Sequence, residues 1–486
     1  MSVGAIGVLA WRDLGGPAPL LARIGTPPAL RFPGRLDVTG LACDSVAIAI
    51  LAVHRVLAAR GMVAEPPAVR VSGARIASSY RSERVLSVDG VASGAWSPLS
   101  GFWETADGWV RTHGNYPHHA DRLRALLDVS TAAAPSTLRA VLRRRSGAEL
   151  EDLAAELGAI LVRVRTPEEW AAHPQSAAVR AEPLIDLRRI AEAAPRSWTG
   201  SPKRPLDGVR VLDLTRVIAG PVATRDLAFA GAQVLRIDPT EIDEIPWQHL
   251  DTGQGKRSTR LDLGSRDGRA VFERLLADAD VLVTGYRPGS LARLGLDPDS
   301  LAERHAGLVL ASVSAWGVSG PWAERRGFDS IVQAASGIAR IEANPEGEPG
   351  ALPAQALDHS AGHLLAAGIM TALLTQREGG GAHDVRVSLA RVAEALLAGP
   401  RRSEPAEAEL PPPTLQHGRT EGVPLTTAAP VLTYRGAPAA YPEVGRPWAA
   451  DPPSWWDAAP VAAHGHYAGS ASAAQATPSA KSVETP

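Results

Sequence analysis

Cysteine is almost absent from this 486-residue chain, which has a single one, Cys43. One cysteine cannot form an internal disulfide, and it excludes any metal site built from several thiolates. This scarcity is typical of proteins kept in a reducing cytoplasm. We therefore expect a cytoplasmic protein in which Cys43 is a small buried hydrophobe rather than a nucleophile.

The chain also lacks an excess of charge of either sign. Its 50 lysines and arginines nearly balance 52 acidic residues, for a formal net charge of -2. Such a balance disfavours a nucleic-acid binder that depends on overall positive charge. The charge balance does not exclude a local basic pocket that binds a small phosphorylated molecule.

Uninterrupted apolar runs of membrane-spanning length are missing as well, so we expect no membrane association. The apolar N-terminal stretch "GAIGVLAW" is short, has no basic residue before it and runs into Arg12 and Asp13, which makes a poor signal peptide. The stretch "DSVAIAILAVHRVLAARG", residues 44–61, is predicted to form a buried helix closed by Gly61.

Length alone predicts two or more domains, and the pattern of the chain changes after the Pro-rich stretch "SPKRPLDG" at 201–208. From Val209 onwards, apolar strands such as "VRVLDL" and "QVLRID" alternate with helical patterns such as "GPVATRDLAFAGA". This alternation predicts an α/β fold with a Rossmann-like, doubly wound, largely parallel sheet. We expect a mixed region over residues 1–200, the α/β domain over 201–400, and a Pro/Ala-rich extension with a disordered tail over 401–486.

Two nucleotide-binding motifs are absent from the α/β half. The first turn between strand and helix reads "TRVIAGP" instead of G-x-G-x-x-G, so Asp238 after the second strand does not complete a dinucleotide site. The sequence has no G-x-x-x-x-G-K-[ST] phosphate loop either. His113, His118 and His119 lie close together without a paired carboxylate pattern, so we predict no metal site and no permanently bound cofactor.

An acid and a histidine begin the apolar stretch "QALDHSAGHLLAAGIMTALL", residues 355–374. The local pattern favours Asp358 as a helix N-cap, because a carboxylate there accepts hydrogen bonds from unpaired backbone N–H groups. The position also suits a nucleophile that the helix dipole keeps ionised, followed by small residues that let a substrate approach. The stretch by itself leaves both interpretations open.

Four stretches between about residues 205 and 398 together resemble the family III CoA-transferases, also called the CaiB/BaiF family. They read, in order, "PLDGVRVLDLTRVIAGPVATRDLAFAGAQVLRID", "GKRSTRLDLGSRDGRAVFERLLADADVLVTGYRPGSLARLGL", "SAWGVSGPWAERRGFDSIVQAASG" and "ALDHSAGHLLAAGIMTALL". The resemblance implies an enzyme that moves CoA between an acyl-CoA and a carboxylic acid, with Asp358 as catalytic nucleophile. It also implies an aspartyl anhydride or thioester intermediate and a homodimer.

The resemblance further implies where CoA, a substrate rather than a bound cofactor, contacts the chain. The turn after the first strand is expected to pack along pantetheine and adenine, an aromatic side chain to lie beside the adenine, and three basic side chains to meet the phosphates. The predicted CoA-binding residues are Arg216, Val217, Ile218, Ala219, Lys256, Arg257, Tyr286 and Arg293.

The chain departs from the family pattern in two ways that bear on function. Related racemases have a "GHD" triplet whose histidine moves a proton, whereas this chain has "GFD" with Phe328, which cannot. Racemase-like chemistry therefore requires His359 or His363 to take over. The stretch "VRTPEEWAAHPQ", residues 164–175, resembles part of the family's small domain but precedes the α/β half, as in a fusion of two degenerate copies.

We accordingly expect residues 1–200 to be an α+β region of the family's small-domain type. The rearrangement leaves two alternatives to a complete transferase. One is a catalytically weak CoA-binding subunit of a hetero-oligomer with a homologue, and the other is an acyl-CoA racemase-like enzyme.

Overall fold

The computed structural model of the protein describes residues 3–94, 96–198 and 202–456. The predicted disordered tail, residues 468–486, lies outside this range, and so does Ser201 at the start of the Pro-rich stretch.

Helices and short strands alternate in the N-terminal part of the chain. Their bounds are α1 Ala5–Asp13, β1 Gly34–Leu36, α2 Val38–Ala59, α3 Gly73–Ser79, α4 Ser82–Val85, β2 Ser87–Val88, β3 Val91–Ala92, β4 Gly101–Thr105, β5 Gly108–Thr112, α5 Pro117–Leu127, α6 Pro135–Leu142, α7 Gly147–Leu157, β6 Leu161–Arg163, α8 Pro167–Ala171, α9 Pro174–Ala181 and β7 Asp186–Ala191.

A regular alternation of strand and helix follows, and the chain then ends in a group of strands. The bounds are β8 Arg210–Leu214, α10 Ala219–Phe229, β9 Gln233–Asp238, α11 Pro246–Thr252, β10 Arg257–Arg260, α12 Arg266–Ala277, β11 Val281–Thr284, α13 Pro298–Arg304, β12 Val309–Ser314, α14 Asp329–Ala335, α15 Ile338–Ile341, α16 Ala356–Gly379, β13 Ala382–Ser388, α17 Leu389–Leu397, β14 Arg401–Ala406, β15 Leu415–Thr420 and β16 Val423–Ala428.

The main sheet confirms the predicted doubly wound α/β fold. Its strands lie in the order β10-β9-β8-β11-β12-β13-β7, and all neighbours pair in parallel except β7, which runs antiparallel to β13. The strands read as continuous apolar runs because helices cover both faces of the sheet, as in β8, where every residue after Arg210 is buried.

The strand order reverses direction between β8 and β11, which are neighbours in the sheet. The chain leaves β8 towards β9 on one side, whereas β11 is followed by β12 on the other. In open α/β sheets, ligands bind in the crevice beyond the carboxyl ends of the strands at such a switch point. The fold thus indicates a binding site where the loops after Leu214 and Thr284 meet.

The N-terminal part packs onto this sheet through β7 and through the long helix α2. The prediction of a buried helix at 44–61 is confirmed, although the helix begins at Val38, where Asp37 caps it by accepting from the N–H of Gly40 at 3.0 Å. By length and composition alone α2 is apolar enough to cross a membrane, but 89% of its apolar window is buried inside the protein. Its Cys43 is buried, as predicted.

Helix α16 lies in the centre of the molecule and packs on both α2 and α10. Gly362 permits the close approach to α10, because a Cβ atom there would lie 2.6 Å from the carbonyl oxygen of Ala219 and 2.8 Å from Cβ of Val222. The second turn of α16 is therefore held beside the first turn of α10. This packing brings Asp358 to the switch point.

Smaller sheets surround the α/β core. Strands β4, β5 and β6 form one antiparallel sheet, and β15 and β16 join β2 and β3 in another. Strand β14 pairs with β1. The C-terminal strands thus pair with strands from the beginning of the chain.

Candidate active site

Asp358 is the third residue of α16 and does not cap it. The N-cap is Gln355, whose side chain makes no capping hydrogen bond, and the Asp358 carboxyl does not cap the helix either. The interpretation of Asp358 as an N-cap is therefore wrong. Asp358 is buried, with 6% of the residue exposed, and it lines two cavities.

The first cavity, which we call the switch-point groove, lies beyond β8 and β11 and has a volume of about 100 Å³. The turn after β8 and the turn after β11 form its walls, and Asp358 lines it together with Phe328. The residues of the two turns that line the groove are Arg216, Val217, Ile218, Ala219, Gly220, Gly285, Tyr286 and Arg287. The crevice expected from the strand order therefore exists, and it contains Asp358.

The second cavity, which we call the polar cavity, has a volume of about 50 Å³. Much of its wall comes from the N-terminal part of the chain. Its lining residues are Glu83, Arg84, Trp96, His113, Asn115, Val217, Ile218, Trp247, Gln248, Phe328, Gln355 and Asp358. Asp358 thus lines both a groove built by the α/β half and a cavity built by both parts of the chain.

A second buried carboxyl, Asp329, controls the charge of Asp358. Oδ2 of Asp329 accepts from the backbone N–H of Asp358 at 3.0 Å, and Oδ1 accepts from Nε2 of Gln333. Burial raises the pKa of Asp329, while these hydrogen bonds act in the opposite direction and favour its carboxylate. The negative charge of the pair therefore rests on Asp329.

Burial, reinforced by the charge of Asp329, raises the pKa of Asp358 well above its ordinary value. The expectation that the helix dipole keeps this carboxylate ionised is therefore wrong for the free protein. A helix N-terminus favours an anion by roughly 0.3 to 1 kcal/mol, which is less than the desolvation of a fully buried carboxylate costs. Burial and the charge of Asp329 thus favour the protonated form of Asp358 in the free protein.

The turn after β8 is strained. Val217 has a φ of 72°, in the left-handed region that β-branched residues rarely occupy. Such a conformation costs on the order of 1–3 kcal/mol and persists where surrounding structure enforces it, often at functional sites. Val217 and Ile218 line both cavities, and Ala219 and Gly220 begin α10 at the edge of the groove. The structure therefore brings the predicted segment from Arg216 to Ala219 together with Asp358.

Arg216 is held in place by the protein. Its guanidinium donates to the carbonyl oxygens of Ile242 and Asp243 at 3.3 and 2.7 Å, and lies 3.4 Å from Glu244. It also lies 5.0 Å from the ring centre of Tyr116. Tyr286 lines the groove beside it, as predicted for a residue next to a bound base.

The three other basic residues predicted to meet the phosphates do not converge. Nζ of Lys256 is buried and donates to Asp213 Oδ2, Thr224 Oγ1 and the Pro221 carbonyl at 3.1, 2.6 and 2.8 Å. Lys256 therefore satisfies an internal carboxylate, and its assignment as a phosphate ligand is corrected. Arg257 stacks on Trp456 at 4.3 Å, and Arg293 is exposed on a short 3₁₀ turn.

A different set of arginines forms the basic surface near Asp358. Arg216, Arg287 and Arg326 line a further cavity of about 290 Å³ together with His118, which we call the basic groove. Nη1 of Arg326 donates to the carbonyl of Gly158 at 3.2 Å, and Nη1 of Arg287 donates to that of Glu324 at 2.9 Å. Burial, and then the nearby charge of Arg287, lower the pKa of Arg326 to about 10. The sequence analysis missed Arg287 and Arg326, although the paired arginines directly before "GFD" were a visible signal.

His359 and His363, the two histidines considered for racemase-like chemistry, are engaged with other side chains inside the protein. His363 pairs with Asp226, with 2.6 Å between Nδ1 and Oδ2, and His359 stacks on Tyr80 at 5.1 Å. In the described part of the chain, neither residue lines the switch-point groove or the polar cavity. Phe328 lies flat against His113 with ring centres 3.9 Å apart, so it fills the place where related racemases have a histidine.

The chain is similar in sequence to one known family. Residues 206–436, just under half of the chain, match the sequence model of CoA-transferase family III. The chain spans about half the length of the curated relatives it matches.

Three relatives illustrate the similarity. The "Probable fatty acyl-CoA transferase Rv3272" of Mycobacterium tuberculosis is 35% identical over 213 residues, which cover 41% of this chain and 54% of that protein. The "Acyl-CoA transferase" of Gibberella moniliformis is 31% identical over 321 residues, or 60% and 56% of the two chains. The "Succinate--glutarate CoA-transferase" of Agrobacterium fabrum is 32% identical over 214 residues, or 40% and 54%. A crystal structure of Rv3272 aligns with 40% of this chain and 58% of its own at 35% identity, with a TM-score of 0.39.

Proposed function

We propose that this protein is a CoA-transferase that moves CoA from an acyl-CoA to a carboxylic acid, with Asp358 as the nucleophile. The observation that carries the proposal is that Asp358 lines both the switch-point groove and the polar cavity. A nucleophile that handles two substrates in turn must reach both, and this carboxyl lines both spaces.

The groove suits the CoA part of the substrate. The segment from Arg216 to Ala219 and the ring of Tyr286 supply surface for pantetheine and adenine, and the basic groove continues from there with Arg287 and Arg326. Guanidinium groups bind phosphate oxygens in a bidentate way. In this proposal the phosphates of CoA lie against Arg216, Arg287 and Arg326.

The chemistry needs only the carboxylate and the two substrates. The Asp358 carboxylate attacks the thioester carbonyl, so that a C–O bond forms and the C–S bond breaks. CoA leaves as a thiolate, and a mixed anhydride remains on Asp358. The thiolate then attacks the Asp358 carbonyl, which releases the donor acid as carboxylate and leaves CoA as a thioester on Asp358. The acceptor carboxylate attacks that thioester to form a second anhydride, and the returning thiolate takes the acceptor acyl group and frees Asp358.

Mass spectrometry of the intact protein tests the proposal. Incubation with a panel of acyl-CoAs that includes acetyl-, succinyl- and long-chain thioesters should produce an acyl or CoA adduct on Asp358 that hydroxylamine removes. Added carboxylic acid should discharge the CoA adduct and yield a new acyl-CoA. A protein that binds CoA but never forms an adduct would instead be the catalytically weak CoA-binding subunit, and exchange of solvent deuterium into the acyl α-carbon without transfer would indicate racemase-like chemistry.

A further inference from the structure

The polar cavity contains a second carboxyl that the transfer chemistry does not use. Glu83 is the second residue of the short helix α4, and it lines this cavity together with Asp358. Its side chain is 12% exposed. One oxygen, Oε1, lies 3.3 Å from Nε of Arg84, whereas the buried Oε2 has no hydrogen-bond partner among the described residues.

The surroundings of Glu83 favour its neutral form. Burial is the main cause, and the nearby Asp251 on α11 adds to it, which together raise the pKa of Glu83 to about 7. Asp251 is fixed by Ser82, whose Oγ donates to its Oδ2 at 2.7 Å. Arg84 favours the charged form only weakly because its side chain is 52% exposed to solvent.

Arg84 is the one cation among the described residues that line the cavity, and the other acidic and imidazole groups there favour their neutral forms. Burial and the charge of Arg111 lower the pKa of His113 to about 3, so its imidazole is neutral. Asp358 favours its protonated form, as described above. A carboxylate that enters the cavity therefore meets hydrogen-bonding groups rather than fixed negative charge, as long as Glu83 keeps its proton.

We propose that Glu83 binds the carboxylate of the acceptor acid in the polar cavity by donating a hydrogen bond from its neutral carboxyl. This assignment rests on the proposed transferase function. Ionised Glu83 would repel the same carboxylate, so binding of the acceptor weakens as Glu83 loses its proton. The volume of about 50 Å³ corresponds to roughly four water molecules at about 10–15 Å³ each. This volume favours a short-chain acid over a fatty acid as the acceptor, and the test below includes both.

The first test measures binding and does not require turnover. Saturation-transfer NMR gives the dissociation constants of propionate and octanoate for the full-length protein loaded with CoA, at pH 6 and pH 8. We expect wild type to bind propionate at least tenfold more weakly at pH 8, and Glu83→Gln, which keeps a donor without a titratable proton, to change less than threefold. Glu346→Gln, on an exposed loop, serves as the control and should follow wild type.

The inference is overturned if wild type binds propionate equally at both pH values, if Glu83→Gln retains the wild-type pH dependence, or if octanoate binds as tightly as propionate. Thermal unfolding establishes that Glu83→Gln is folded. Where transfer is measurable, the KM for the acceptor acid should lose its pH dependence in Glu83→Gln, while the KM for acyl-CoA stays within twofold. Absence of transfer and of an adduct in wild type would refute the transferase proposal, and the propionate measurement would still decide the role of Glu83.

Discussion

The backbone N–H of Asp358 donates to Oδ2 of Asp329 at 3.0 Å, which places two buried carboxyl residues of different helices in direct contact. Asp329 begins α14, and its carboxylate accepts hydrogen bonds that stabilise its negative charge. Asp358 in α16 is destabilised as an anion by burial and by that charge. The residue proposed as nucleophile is therefore the one that holds the proton. This division of roles makes several behaviours of the protein measurable.

Asp358→Asn should abolish transfer and also change the dependence of stability on pH. Folded Asp358 keeps its proton above about pH 4, where the unfolded chain loses it, so the free energy of unfolding of wild type falls as pH rises. Asparagine has no such proton. The variant should therefore be more stable than wild type by about 1 kcal/mol or more at pH 7, and the difference should shrink towards pH 4.

Chemical denaturation at several pH values, together with a transfer assay, checks this prediction. Asp267→Asn is a matched control, because Asp267 also lies in the first turn of a helix but is exposed. It should change neither activity nor the pH dependence. An active Asp358→Asn protein, or one whose stability follows wild type at every pH, contradicts the assignment.

Asp329→Asn should move the pH dependence of the first half-reaction towards acid. Without the neighbouring charge the pKa of Asp358 falls, so the ionised nucleophile appears at lower pH. The asparagine side-chain oxygen can still accept from the N–H of Asp358. Rapid-quench measurement of adduct formation across pH gives the shift, and an unchanged acidic limb would show that Asp329 does not control Asp358.

Arg287→Gln and Arg326→Gln should each weaken CoA binding about tenfold or more, because a charge-assisted hydrogen bond contributes about 1.5–3 kcal/mol. The double variant Arg257→Gln/Arg293→Gln should have a much smaller effect, since the structure places those two side chains outside the basic groove. Calorimetry with CoA and with pantetheine, which lacks the phosphates of the nucleotide, separates the contributions. Equal losses for both ligands would contradict a phosphate-binding role for Arg287 and Arg326.

Val217→Gly should cost much less stability than Ile218→Gly. Glycine at position 217 relieves left-handed strain of about 1–3 kcal/mol, which offsets the loss of a half-buried side chain. Ile218 is buried and has an ordinary negative φ of -122°, so glycine there only loses packing and gains flexibility in the unfolded chain. Urea denaturation should show a difference of at least about 1 kcal/mol. Similar losses at the two positions would show that the Val217 conformation is not strained.

Pairing of two copies, implied by the resemblance, remains a prediction. Closed two-fold dimers are the commonest assemblies of identical chains, and light scattering at micromolar concentration should give about twice the 50.9 kDa mass of one chain. Because both parts of one chain already line the polar cavity, diluting the protein to monomers should leave acceptor binding intact. A monomer at all accessible concentrations contradicts the pairing.

The sequence determined the elements that depend on local pattern. Continuous apolar runs such as "VRVLDL" predicted buried parallel strands, because a strand covered by helices on both faces needs no polar side. The resemblance located the segment from Arg216 to Ala219 and the residue Asp358, because the four stretches that contain them occur in the same order as in the family. The structure then placed these segments side by side at the switch point between β8 and β11.

The tertiary structure alone decided the charges and the ligands of the site. Lys256 belongs to an internal network because Asp213 on β8 lies 3.1 Å away. The protonated form of Asp358 is favoured because the residue is buried and its N–H contacts Asp329. Glu83 reaches the same cavity from a distant part of the chain. Electrostatic energies depend on distances through space and on the removal of water, and neither quantity is encoded in the spacing of residues along the sequence.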